Sequence, residues 1–161
     1  PKPPPPKALG WREWAQLPDL NVRAIKAKLD TGARTSALHA FSIKDFVRDG
    51  VQMVRFDIHP VQRSSASAVH AEAEVLERRV VRNSGGHQEL RPVIVTTLRI
   101  GEEEWPIELT LTRRDEMGFR MLLGREALRG RAVVDSGSSF REGKRKDLPA
   151  WSPRRAKDEE E

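Results

Sequence analysis

Apolar side chains fall on every second residue through the middle of this chain, and that spacing restricts its architecture more than any other feature. Ile25, Ala27 and Leu29 alternate with Lys26, Lys28 and Asp30, and Val54, Phe56 and Ile58 alternate with Arg55 and Asp57. Ile94, Thr96, Leu98 and Ile100 alternate with Val95, Thr97 and Arg99, and Ile107, Leu109 and Leu111 with Glu108, Thr110 and Thr112. Successive side chains of a strand point to opposite faces, so each run predicts a strand with one buried face. The runs are short and bounded by turn residues such as Asp49-Gly50 and Gly101. The one convincing helical piece is also short, around Arg125 to Leu128, closed by Gly130. Many short strands with one small helix predict an all-β domain, barrel-like or a sandwich. Residues 61–74, small and polar, read as a long loop or as a weak helix around Ala71.

A length of 161 residues fits one domain. Residues 1–9 form a Pro-rich leader, residues 10–140 the folded body, and residues 141–161 a charged, flexible tail that Trp151 can dock. Hydrophobic residues are 37% and charged residues 33%, lean enough in apolar content that part of the core is expected at a subunit interface. The net charge of +5, with a pI near 10.0, favours acidic partners and leaves nucleic acid open. No cysteine is present, which excludes disulfides, thiolate catalysis and Cys-based metal sites. No apolar run approaches the roughly 20 residues that span a bilayer. Pro1 to Lys7 lacks the apolar stretch of a signal peptide, so the expected compartment is the cytoplasm.

Chemistry concentrates at Asp30-Thr31-Gly32-Ala33, placed at the end of an alternating strand. A strand end presents a carboxylate at a cleft, and glycine there allows a tight turn and room for a substrate backbone. The Thr31 hydroxyl can bond across to a partner's loop. Two such carboxyls about 3 Å apart repel by roughly 5–6 kcal/mol at an effective dielectric near 20. They therefore share one proton, as in aspartic proteases generally. One then activates water as general base while the other protonates the carbonyl oxygen. The plainer reading of four such residues alone is a polar turn after a strand.

A second segment argues against the plain reading. Met121-Leu122-Leu123-Gly124-Arg125-Glu126-Ala127-Leu128 resembles the apolar-apolar-Gly-Arg-x-x-Leu element of retropepsins. Between the two motifs, Arg82-Asn83-Ser84-Gly85-Gly86-His87 is flanked by strand-like Val80-Val81 and Leu90 to Ile94. That is a hairpin with a Gly-rich tip where retropepsins carry their flap. More closely, GWREWAQLP, AKLDTGARTSALHA, VRFDIHP, HQELRPVI and MGFRMLLGREALRGRAVVD resemble a bacterial family labelled ATP-dependent zinc proteases, with RimB-type members that accompany the RimK glutamate ligase. The resemblance implies a retropepsin-like closed β-barrel with one short C-terminal helix. It also implies hydrolysis of α-linked glutamate tails that RimK adds to a small-subunit ribosomal protein. The residues give neither zinc nor ATP a home, and no cofactor is expected. H-E-x-x-H and G-x-x-x-x-G-K-[S/T] are absent, and His39, His59, His70 and His87 lack ligand spacing.

Within this resemblance Asp30, Thr31 and Gly32 are the expected catalytic residues. Lys28 stands where retropepsins carry an apolar residue, and Arg34 where they carry an acid. Lys28 shares a strand face with Asp30 by the two-residue period. With Arg82 and Arg91 on the flap arms, Lys28 and Arg34 are expected to form a positive substrate groove. Ala33, Ser84, Gly85, Gly86 and His87 complete its lining. One chain supplies one usable Asp, so a homodimer is expected to assemble the pair. Asp135-Ser136-Gly137 looks like a second such motif, but a two-lobed enzyme needs about twice this length, and it reads as a terminal turn. Trp11, Trp14 and Trp105 read as core or interface anchors. The alternative function is a non-catalytic module binding acidic protein or RNA through its basic surface.

Overall fold

The computed structural model describes residues 5–60, 68–82, 85–113 and 118–144. Its strands are β1 (Lys7–Gly10), β2 (Arg12–Leu17), β3 (Val22–Leu29) and β4 (Ala37–His39), then β5 (Phe41–Arg48), β6 (Val51–Ile58) and β7 (Val69–Glu74). They continue with β8 (Glu77–Arg82), β9 (Gln88–Ile100), β10 (Glu103–Thr112) and β11 (Met121–Leu123). A single-turn helix, α1 (Arg125–Leu128), precedes the last strand, β12 (Ala132–Asp135).

Six of these strands close on themselves in the order β10-β4-β11-β3-β2-β9, with β9 returning to β10. Of the barrel and sandwich left open by the alternation, the chain forms the barrel. Closure removes the exposed strand edges that an open sheet must protect. The alternating residues fill the interior as their spacing requires: Ile25, Ala27, Leu29, Ile94, Leu98, Leu109 and Leu111 are buried, with Trp105 among them. β11 is the closing piece. It lies parallel to β3, Met121 beside Ala27 and Leu123 beside Leu29, and antiparallel to β4. Its Met121 and Leu123 are fully buried, which pins three residues that could not hold a strand alone.

β9 serves two structures in turn. Its first half pairs with β8, from Arg82 beside Gln88 to Glu77 beside Val93. Its second half pairs with β10, from Val93 beside Thr110 to Ile100 beside Glu103. The flap hairpin is therefore a direct extension of a barrel strand. A separate sheet, β5-β6-β7, packs Val54, Phe56 and Ile58 onto the core. β1 and β12 make a two-stranded parallel ribbon.

Two sequence expectations change. Residues 69–74, read as loop or weak helix, form strand β7 in register with β6, Ala71 opposite Phe56. Val69, Ala71 and Ala73 do alternate with His70, Glu72 and Glu74, but alanine is a weak apolar marker, and only pairing to β6 reveals the period. Arg141 to Lys144, assigned to the tail by composition, lie against the body: the backbone N–H groups of Arg141 and Glu142 donate to the buried Glu13 carboxylate at 3.0 and 3.1 Å. Gly10 donates to the same carboxylate at 2.6 Å. Trp151 and the remainder of the predicted tail lie outside the described residues, as do Pro1 to Pro4 of the leader.

Candidate active site

β3 ends at Leu29, whose N–H donates to the Trp11 carbonyl at 2.8 Å, and Asp30 follows with its own N–H donating to Leu123 O at 2.8 Å. The chain then turns. Gly32 N–H donates to Asp30 Oδ1 at 2.9 Å, and Ala33 N–H to Asp30 O at 3.2 Å. Asp30 is half-buried, whereas Thr31 and Gly32 are exposed. The Asp30 carboxylate is thus fixed on one side by the Gly32 N–H while remaining partly exposed.

The Gly-Arg element holds this loop from beneath. Gly124 N–H donates to the buried Ser36 hydroxyl at 2.9 Å, and Arg125 N–H to Ala33 O at 2.8 Å. A Cβ on Gly124 would lie 2.4 Å from Thr35 O and 2.8 Å from Ala33 O. Both are backbone atoms, so only glycine permits this crossing. The Arg125 guanidinium reaches the carbonyls of Thr31 at 3.4 Å and Gly32 at 3.2 Å. Trp105 Nε1–H donates to Ala127 O at 2.8 Å, tying α1 to β10. The motif Gly124-Arg125 was visible in the sequence; its role as the cradle of Asp30 was not.

A groove of about 270 Å³ is lined by Thr35 and Ser36, just past the loop, and by Val81 of the flap strand; Asp30 to Arg34, Ala33 included, are not among its described lining residues. Lys28 of β3, Arg82 of β8 and Arg120, just ahead of β11, line it together with Thr110, Phe119 and Leu122. No Asp or Glu is among its described lining residues. Lys28 and Arg82 thus line the same groove. Arg34 does not join them: its guanidinium turns to Glu126 on α1, Nε to Oε1 2.9 Å, and holds the Glu126 carboxyl below its usual value. Arg91 is taken by an ion pair with Glu89 one pleat away on its own strand. Gly85, Gly86 and His87 are exposed at the flap tip, Gly86 at a φ of +83°, while Ser84 lies outside the described residues. Arg120 was missed because nothing in its local spacing sets it apart. The backbone that carries it is bound to β4, His39 N–H donating to Arg120 O at 2.8 Å.

Zinc finds no ligand set here: among the described residues no three His, Asp or Glu side chains gather. His39 and His59 flank the Phe41 ring at 4.5 and 4.4 Å, and His70 Nδ1 bonds Asp57 at 2.5 Å. No helix is long and apolar enough to cross a membrane among the described residues.

A closed six-stranded barrel, an Asp-Thr-Gly loop at an inner strand's end, a Gly-Arg crossing beneath it and a hairpin flap above define a retropepsin-like domain. The family comparison agrees: residues 8–145 match the model of the RimB-like family, described as the retropepsin-like aspartic endopeptidase RimB, and the chain belongs to that family. A Parasynechococcus marenigrum protein named "Probable alpha-L-glutamate ligase" is 52% identical over 135 residues, 84% of this chain but 29% of its own length. A Shewanella pealeana protein of the same name is 46% identical over 140 residues, 87% of this chain and 31% of its own. The chain thus spans about three-tenths of the length of these relatives. A crystal structure of a Legionella pneumophila protein of unknown function, DUF785, superposes with a TM-score of 0.70 at 28% identity, covering 84% of this chain and 98% of that one.

Proposed function

We propose that this chain is an aspartic-type peptidase that hydrolyses acidic peptide tails, α-linked glutamates of the kind a RimK-type ligase adds to a ribosomal protein, and that it works as a homodimer. The observation that carries the reading is the half-buried Asp30 carboxylate in its Asp-Thr-Gly turn, fixed by Gly32 N–H and held by the Gly124-Arg125 crossing, with Lys28, two residues earlier on the same strand, lining a groove together with Arg82 and Arg120. Each chain offers one Asp-Thr-Gly loop, and two-fold symmetry brings two identical loops together. One Asp30 of the pair, ionised, takes a proton from water as the oxygen attacks the scissile carbonyl carbon. The other, protonated, gives its proton to the carbonyl oxygen. On collapse of the tetrahedral intermediate the C–N bond breaks as the Asp30 that holds water's proton gives it to the leaving nitrogen, a hydroxyl of the intermediate returns a proton to the other Asp30, and the products are a carboxylic acid and an amine.

The ligase name of the relatives supports a setting of glutamate chemistry. In those proteins the matched stretch is joined to a much longer remainder. A panel of α-linked oligoglutamate, oligoaspartate and mixed peptides, read by mass spectrometry, tests the reading together with sedimentation at micromolar concentration. Cleavage of oligoglutamate by a dimer is expected. A strict monomer that still cuts would overturn the dyad, and tight binding without any cleavage would make the domain a binding module instead.

A further inference from the structure

Asp30 stands between two supports that hold adjacent peptide groups. On one side its own N–H donates to Leu123 O, and the Gly124-Arg125 crossing completes that support. On the other side Leu29 N–H donates to Trp11 O at 2.8 Å. Trp11 is the link between β1 and β2, so whatever holds this link also holds the strand end that carries Asp30. The holder is a strap, residues 138–142, that returns from β12. Trp11 N–H donates to Ser138 O and Phe140 N–H to Arg12 O, both at 2.9 Å. The Phe140 ring stacks on Trp14 at 6.1 Å, with the Arg12 guanidinium 5.0 Å from its centre. A Cβ on Gly10 would lie 2.5 Å from Ser138 O, so strap and link cross at backbone contact.

The strap is fastened by a carboxylate. Glu13, wholly buried on β2, accepts Gly10 N–H at 2.6 Å and Arg141 N–H at 3.0 Å on one oxygen, and Glu142 N–H at 3.1 Å on the other. A buried carboxylate is unfavourable unless its lone pairs are filled, and hydrogen bonds to an ionised acceptor are shorter and stronger than neutral ones. Here backbone N–H groups from both segments fill them, and one side chain fixes the distance between the strap and the link. Resting on the reading of Asp30 as the catalytic carboxylate, we infer that Glu13 is a positioning residue: through the strap and Trp11 it sets where the Asp30 loop stands. A dyad magnifies that role, since two copies of the loop meet and a displaced strand end is displaced in both. An amide in place of the carboxylate cannot do the same, because its NH2 group would face at least one N–H donor.

The test compares Glu13→Gln with the parent in the whole 161-residue chain. With an oligoglutamate substrate, kcat is expected to fall about tenfold to a hundredfold while KM stays within about twofold, since a displaced reacting group lowers rate and not binding. NMR reads the same displacement without turnover. The Trp11 and Leu29 N–H groups should exchange about tenfold faster in the variant, and Arg125 N–H, on the opposite support, should stay within about twofold of the parent. The Gly32 amide resonance should shift, because its N–H is bonded to the Asp30 carboxylate. A merely destabilised fold would speed exchange of all three amides alike. Phe140→Leu loosens the strap from its outer face and keeps the carboxylate. It should move kcat and the Leu29 exchange in the same direction by a smaller factor, and it decides the matter if Glu13→Gln does not fold. Lys7→Met, which removes the strap's outer ion pair with Glu142, should match the parent. Parent-like kcat, a loss confined to KM, an unmoved Gly32 resonance or uniform exchange across the three amides would overturn the role of Glu13. A parent chain that cleaves no peptide, with Trp11 and Leu29 loosened and Gly32 shifted in the variant, would sink the peptidase reading and leave the positioning intact.

Discussion

The two Asp-x-Gly loops of this chain are alike locally and opposite in consequence. In Asp30-Thr31-Gly32-Ala33 the carboxylate accepts Gly32 N–H at 2.9 Å and the carbonyl accepts Ala33 N–H at 3.2 Å. In Asp135-Ser136-Gly137-Ser138 the same bonds run to Gly137 at 3.0 Å and Ser138 at 3.1 Å. The turn chemistry is the same, because an Asp side chain bonds the backbone two residues on wherever the chain turns after a strand. The surroundings differ. Asp135 spends its second oxygen on the Ser138 hydroxyl at 2.7 Å with Arg141 3.8 Å away, and these contacts hold its carboxyl below the usual value. Beneath Asp30, by contrast, lies the crossing of Gly124 and Arg125, whose guanidinium reaches the Gly32 carbonyl. The comparison teaches that a four-residue motif specifies a turn, and that a site is specified by what the rest of the fold puts around it.

The largest effect that separates the loops is on turnover. Asp30→Asn is expected to lower kcat by about a thousandfold or more while leaving the melting temperature near the parent value. Asp135→Asn should leave turnover within about twofold. Peptide hydrolysis measured on both variants decides it, and equal losses would erase the distinction drawn between them.

The glycines sharpen it at the level of stability. Gly124→Ala forces a Cβ against the Thr35 and Ala33 carbonyls and is expected to cost about 2–3 kcal/mol, since neither backbone atom can move cheaply. Gly137→Ala places a Cβ 3.5 Å from Asp135 Oδ1, an ordinary contact, and should change stability by no more than about 0.5 kcal/mol. Urea melts of the two variants read the difference directly; a Gly124→Ala protein as stable as the parent would mean the crossing can relax.

The smallest effect is in acid. A carboxyl held below its ordinary value of 3.8, as Asp135 is, stabilises the fold at pH values above that figure. The contribution is lost as pH falls through the depressed value, because the folded chain must then take up a proton it resists. Asp135→Asn should therefore narrow the stability gap between pH 6 and pH 3, and the variant and parent should converge at the acid end. Because the group is exposed, solvent screening keeps the shift small. A stability gap that widens toward acid would mean the Ser138 and Gly137 bonds act through the neutral form.

Much of the fold was legible from period alone. The runs at Ile25, Val54, Ile94 and Ile107 became β3, β6, β9 and β10, and the helix at Arg125–Leu128 formed where its closing Gly130, at a φ of +76°, marks the end. Strands whose period is carried by alanine or by three residues were not legible. β7 has Ala71 and Ala73 in its apolar positions, and β4 and β11 are only three residues each, so their state depends on neighbours. Around the candidate site, the turn at Asp30-Thr31-Gly32 and the place of Lys28 on the strand before it followed from local order. Arg34 could be placed beside the loop but not aimed, because Glu126, 92 residues later, takes its guanidinium.

The sequence by itself determined the strand faces and the turn at Asp30, since backbone sterics and side-chain alternation act within a few residues. Tertiary structure alone decided that β11 closes the barrel, that Arg34 and Arg91 are neutralised, and that Lys28, Arg82 and Arg120 share one groove. Those outcomes depend on which carboxylates and strands meet across the chain. Long-range packing chooses the partners of each charge, which local spacing cannot name.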